Sequence, residues 1–125
     1  MSLEISNNCE ILYLIVDNRI CDLYCDDGIK VFNVEHIERH TTKYKSGGYS
    51  NNLININHKK NLQVFIEKIN KLIEIINKSY YVGGAGNIKN ILKHTDFCKG
   101  IYNTSYTGDF GIQELKEKIG VLKNE

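Results

Sequence analysis

The sequence predicts an α/β domain: a mixed β-sheet that opens as an antiparallel meander and carries helices on its faces. Three observations lead there. Between residues 11 and 37, three extended segments rich in branched and aromatic residues follow one another with only turn residues between them. From His58 a long stretch repeats apolar residues at three- and four-residue steps, the period of a helix with one buried face. Beyond it the chain twice runs from an apolar segment through glycine into a helical pattern, which completes the order β-β-β-loop-α-β-α-β-α.

Ile11 to Val16 is an uninterrupted apolar run, as a strand covered on both faces requires, and is predicted to be central. Asp17-Asn18 supplies a turn, and Arg19 to Cys25 alternates imperfectly as a second, more exposed strand. Asp26-Asp27-Gly28 turns again, and Ile29 to Ile37 alternates as a third. The polar segment Glu38 to Ser50 reads as a loop that leaves the sheet, with Leu53, Ile54 and Ile56 marking its return. In the helix that follows, Leu62, Phe65, Ile66, Ile69, Leu72, Ile73 and Ile76 form one stripe. Tyr80-Tyr81-Val82 is predicted as a short buried strand running into Gly83-Gly84-Ala85-Gly86, with Asn87 capping a helix that extends to the region of His94. Gly100 to Tyr106 is the last predicted strand. Thr107-Gly108-Asp109 then opens a final helix on which Phe110, Ile112, Leu115, Ile119 and Leu122 share a face.

A chain of 125 residues and 14.4 kDa is long enough to bury a core without staples, and one domain spanning residues 1–125 is expected. No apolar run approaches the roughly 18 residues of a membrane span, so no membrane partner is expected. Met1 to Ser6 lack the basic start and apolar block of a secretory signal, which makes a cytoplasmic protein the expectation. Cys9, Cys21, Cys25 and Cys98 form no close Cys-x-x-Cys pair, and reduced, mostly buried thiols are expected rather than a zinc site or a disulfide framework. Cys21 and Cys25, four apart on a strand, should share its buried face. The formal charge of +1 gives no global basic field, so nucleic-acid contact has to come from local clusters such as Arg39, His40, Lys43 and Lys45.

The stretch Lys43 to Ser50 breaks the pattern. Gly47-Gly48 opens backbone conformations that side chains forbid and permits close approach to another molecule, while Lys43 and Lys45 suit a phosphate-rich one. Its structural reading is an ordinary hairpin or strand-to-helix loop that uses Gly-Gly to turn. Gly83 to Gly86 is not read as a phosphate loop, because no Lys-Ser/Thr follows and no acidic residue stands at a dinucleotide-site spacing. A nuclease would need carboxylates clustered at strand ends around magnesium, whereas Asp17, Asp22, Asp26 and Asp27 read mostly as turn residues. Nothing in the sequence calls for a metal or another cofactor.

Taken together, three stretches in order resemble the middle domain of the eukaryotic and archaeal class I peptide chain release factors, which is related to the Pelota middle domain. Lys45-Ser46-Gly47-Gly48-Tyr49-Ser50 ahead of a long amphipathic helix is similar to that family's Gly-Gly-Gln loop and the helix after it. Tyr81 to Lys89 is similar to its strand, glycine turn and helix start. The most specific match is Ser105-Tyr106-Thr107-Gly108-Asp109-Phe110-Gly111-Ile112-Gln113-Glu114-Leu115, and the resemblance spans about residues 10 to 120. It implies a three-layer ribonuclease H-like fold and entry into the ribosomal peptidyl transferase centre to promote peptidyl-tRNA hydrolysis. It also implies Gly47, Gly48 and Tyr49 as catalytic residues and Lys43, Lys45, Lys59 and Lys60 as RNA-binding residues. No stand-alone enzyme is implied, because the ester lies inside the ribosome. The implied partners are ribosomal RNA, peptidyl-tRNA and, through domains outside these residues, a translational GTPase.

Two departures fall on the functional surface. Tyr49 stands where the family has glutamine, and Leu53-Ile54-Asn55-Ile56-Asn57-His58 contains none of the arginines that follow the family's motif. Lys59 and Lys60 replace only part of that charge. These departures favour an alternative expectation, a non-catalytic ribosome- or RNA-docking module of a Pelota-like rescue factor.

Overall fold

The structure, a computed structural model, describes residues 9–39 and 51–123, with side chains described over 9–39 and 60–120. Strands β1 (Ile11–Val16), β2 (Ile20–Asp26), β3 (Val31–Glu38), β4 (Tyr80–Gly84) and β5 (Cys98–Asn103) make one sheet in the order β3-β2-β1-β4-β5. β2 pairs antiparallel with both β1 and β3, whereas β1 with β4 and β4 with β5 are parallel. The predicted meander is therefore one half of the sheet. The parallel half is reached through helices α1 (Asn51–Ile75) and α2 (Ile88–Ile91), and α3 (Gly108–Lys123) closes the chain.

Alternation along the strands sorts the core into two layers. On one face Leu12, Leu14, Val16, Leu23 and Val82 meet Phe65, Ile69, Leu72, Ile73 and Ile76, together with Ile88 and Leu92. On the other, Tyr13, Ile15 and Tyr24 meet Ile112, Leu115 and Ile119 of α3. Helices thus cover both faces, giving the three-layer, ribonuclease H-like arrangement that the resemblance implies. Each fully buried aliphatic side chain contributes about 1.5–3 kcal/mol, and β1, buried from Leu12 to Val16, serves both layers.

Several local expectations need correction. α1 begins at Asn51 rather than near His58, because a helix anchored by a packed half propagates outward through indifferent residues at little cost per residue. Ile29 is 93% exposed, since Asp27 Oδ1 accepts from the Ile29 and Lys30 N–H groups and so extends the turn. Asn87 precedes α2 but its side chain makes no cap bond, its backbone lying at φ −100° and ψ −10°, and the helix lasts only to Ile91. β5 starts at Cys98 and ends at Asn103, two residues earlier and three residues shorter at its end than predicted. Phe110 leaves the α3 stripe and is 71% exposed.

The cysteines also differ from expectation. Cys21 and Cys25 do share the buried face, but Cys9 and Cys25 form a disulfide, with Cα atoms 5.7 Å apart and a sequence separation of 16. The Glu10 N–H donates to the Asp26 carbonyl at 2.9 Å, and this register lays Cys9 beside Cys25. Cys21 and Cys98 remain free thiols, and burial, followed by the Asp22 and Asp17 charges, pushes the Cys21 thiol well above its ordinary range.

Candidate functional site

β1, β3, β4 and β5 all run out at one end of the sheet, and the connections that follow β1, β4 and β5 come together there. Asp17 builds the β1–β2 turn: its Oδ1 accepts from the N–H groups of Arg19 (2.7 Å) and Ile20 (2.8 Å), the local bonding that suits aspartate to turns. Arg39, just past β3, donates its N–H to the Arg19 carbonyl at 2.7 Å and its guanidinium to the Asn18 carbonyl at 3.4 Å. The chain therefore enters the 40–50 connection beside the Asp17–Arg19 turn and resumes at the start of α1.

The glycines at the end of β4 have a steric reason. A Cβ on Gly84 would lie 2.0 Å from the Val16 carbonyl oxygen, so only glycine lets β4 approach β1 there. Thr104 N–H donates to the Gly84 carbonyl at 3.1 Å, bringing the β5–α3 connection to the same place. The buried Lys89 side chain donates to the Gly86 carbonyl and pins the glycine turn from beneath. His94 Nε2 lies 2.8 Å from the Lys89 carbonyl and Nδ1 lies 3.0 Å from the Tyr80 hydroxyl. A carbonyl only accepts, so Nε2–H donates to it, and Nδ1 and the Tyr80 hydroxyl hydrogen-bond each other. A shallow groove of about 310 Å³ runs between Asp17, Asn18 and Arg19 on one side and Ala85 and Gly86 on the other.

The Ser105 to Leu115 stretch divides into residues that build the fold and residues that do not. Glu114 accepts from the Ser105 N–H at 2.8 and 3.0 Å and from the Tyr106 N–H at 3.2 Å, tying the connection to the second turn of α3. A Cβ on Gly111 would lie 2.3 Å from the Tyr106 carbonyl oxygen, and Ile112 and Leu115 are buried. Tyr106 and Phe110, by contrast, are exposed by 61% and 71%, with ring centroids 6.1 Å apart.

Of the residues predicted for the site, Lys43, Lys45, Gly47, Gly48 and Tyr49 lie outside the described residues. Lys59 lies within α1, with its side chain outside them, and Lys60 is exposed on α1 ahead of Phe65, the first buried side chain described on that helix. Asn51 stands 11 residues before Leu62, the first described side chain of α1 packed against the core, a distance of about 16 Å along the helix, so the first residue of α1 lies well beyond the position where the described core contacts begin.

Sequence reasoning missed one charged cluster. Asp22 is not a turn residue but a buried member of β2, 6% exposed. His36, its partner across the strand pair, bonds Asp22 Oδ1 through Nδ1 and Glu38 Oε1 through Nε2 at 2.9 Å. Those bonds to Glu38 and Asp22 raise the His36 pKa above its ordinary value. Strand register creates the cluster, and the residue spacing alone carries no signal of it. Among the described residues, no group of three or more His, Cys, Asp or Glu side chains is placed to hold a metal ion, and no helix is long and apolar enough to cross a membrane.

Sheet order and layering define a three-layer α/β domain with a mixed five-stranded sheet. The crystal structure of the archaeal translation termination factor aRF1 is similar to 87% of this chain, with a TM-score of 0.60 and 13% identity. An identity that low shows the fold alone, and the chain spans about a third, 34%, of the length of that protein. No family model and no curated protein matches the sequence.

Proposed function

We propose that this chain is a release-factor-like domain of translation termination, corresponding to the family's middle domain, whose segment from Lys43 to Ser50 enters the ribosomal peptidyl transferase centre. The observation that carries the reading is the placement of Gly47-Gly48 directly ahead of a 25-residue helix in a fold like that of a termination factor. In the proposed chemistry the glycines permit the backbone shape, and the Tyr49 N–H stabilises charge developing on the ester or the leaving oxygen. Lys43, Lys45, Lys59 and Lys60 supply counter-charge to ribosomal RNA. The Tyr49 side chain carries no amide to place the attacking water, and its ring occupies space that the water needs.

The domain grafted into an otherwise intact release factor should therefore support little peptide release, and Tyr49→Gln should recover part of it. Losing one preorganised contact of this kind costs about 10²–10³ in rate. Recovery stays incomplete because Leu53, Ile56 and His58 stand where the family carries arginines. Release of a labelled peptide from a stop-codon complex measures this, with Gly48→Ala as the control. Full release with Tyr49 in place, or no gain from Tyr49→Gln while RNA binding is intact, overturns the proposed role of Tyr49. Tight ribosome binding with no release from any variant supports the docking module, which Tyr49 and the missing arginines favour.

A further inference from the structure

We infer that the sheet end carrying Arg19, Tyr106 and Phe110 is a docking surface for unpaired RNA, with a backbone phosphate against Arg19 and a base against the Tyr106–Phe110 pair. The inference takes its choice of partner from the ribosomal reading above, but its residues lie outside the Lys43 to Ser50 segment. Two observations carry it independently. The fold accounts for Glu114, Gly111, Ile112 and Leu115 of the Ser105 to Leu115 stretch and leaves two adjacent aromatic rings in solvent, 61% and 71% exposed. Arg19 is exposed and has no carboxylate paired with it among the described residues, and the Oδ1 of Asp17, two residues before it, accepts from two backbone N–H groups.

The two features share one end of the molecule. A Cβ on Gly111 would lie 3.5 Å from Ile15 Cγ2 as well as against the Tyr106 carbonyl, which sets the first turns of α3 on the last residues of β1. The Asp17–Arg19 turn follows β1 directly and borders the groove of about 310 Å³ with Ala85 and Gly86. An unpaired guanidinium beside a groove and an exposed aromatic pair match the two needs of a single strand, charge for the backbone and a ring face for the base. A duplex offers its bases to neither, so the surface should prefer single strands.

The test uses the full chain and a fluorescein-labelled single-stranded RNA of about 12 nucleotides, with a duplex of equal length, read by fluorescence anisotropy across a salt series. Phe110→Ala and Tyr106→Ala should each weaken single-strand binding by about 5- to 150-fold and leave the salt slope unchanged. Arg19→Gln should weaken it and reduce the slope of log K against log salt by about 0.7, the loss of one phosphate contact on a single strand. All three side chains are exposed, and circular dichroism melts matching the parent protein confirm that the variants fold. Affinity unchanged in Phe110→Ala and Arg19→Gln overturns the inference. So does an effect confined to binding of a ribosomal protein. Peptide release is read separately: RNA binding that responds as stated, with no release by the Tyr49→Gln graft, leaves this surface standing and removes the release reading.

Discussion

Both ring nitrogens of His36 bond carboxylate oxygens, Nδ1 to Asp22 and Nε2 to Glu38, and a neutral imidazole has only one N–H to donate. The bridge is thus complete only when the ring is protonated. Because the folded-state pKa is raised above the ordinary 6.5 by Glu38 first and Asp22 second, its stabilisation is fully present below pH 6.5 and lost as pH rises through the raised value. His36→Asn should therefore lower the melting temperature more at pH 6 than at pH 9, on the order of a few degrees at most for so exposed a ring. A gap that does not narrow with rising pH would show that His36 acts by packing. Gly84 offers a steric test at the same scale. With a Cβ 2.0 Å from a backbone oxygen, Gly84→Ala forces β1 and β4 apart, and a loss of about 2–4 kcal/mol in chemical denaturation is expected.

α1 and α3 cover opposite faces, and their stripes make opposite predictions for two phenylalanines. Phe65 is 1% exposed and packs in the larger core cluster, so Phe65→Ala should cost about 3–5 kcal/mol. Phe110, on α3 but turned outward, should change stability by no more than about 0.5 kcal/mol on truncation. Equilibrium urea unfolding separates the two. The three- and four-residue spacing announces both helices, but not that Phe110 stands off the buried face. That depends on where Gly111 is pressed against the Tyr106 carbonyl, which sets the rotation of α3 over the sheet.

The molecule is a sheet served by helices on two sides, and the Cys9–Cys25 disulfide closes the β1–β2 hairpin. Closing a loop of this length stabilises by about 3 kcal/mol in the chain-entropy account. Alkylation of the denatured chain should label only Cys21 and Cys98 before reduction and all four cysteines after it, as mass spectrometry would read. Four labelled thiols without reductant would restore the reduced state that composition suggests. Cys9→Ser should lower the melting temperature under non-reducing conditions and leave it unchanged in reductant.

The sequence by itself determined the class of fold and most of its elements. The unbroken apolar run of β1 requires cover on both faces, and the stripe from Leu62 to Ile76 requires a sheet to lie on, so local periodicity implies the layers. It also marked the Lys43 to Ser50 segment by its departure from core patterning, whereas the Ser105 to Leu115 stretch stood out only through its resemblance to a known family. The tertiary structure decided what depends on register and close approach. It paired Asp22 with His36, brought Cys9 to Cys25, required glycine at positions 84 and 111, and set Arg19 at the same sheet end as Tyr106 and Phe110. Those residues are separated by up to 91 positions in the chain. No local pattern encodes their meeting, because it follows from the sheet order β3-β2-β1-β4-β5, which brings distant strand ends together.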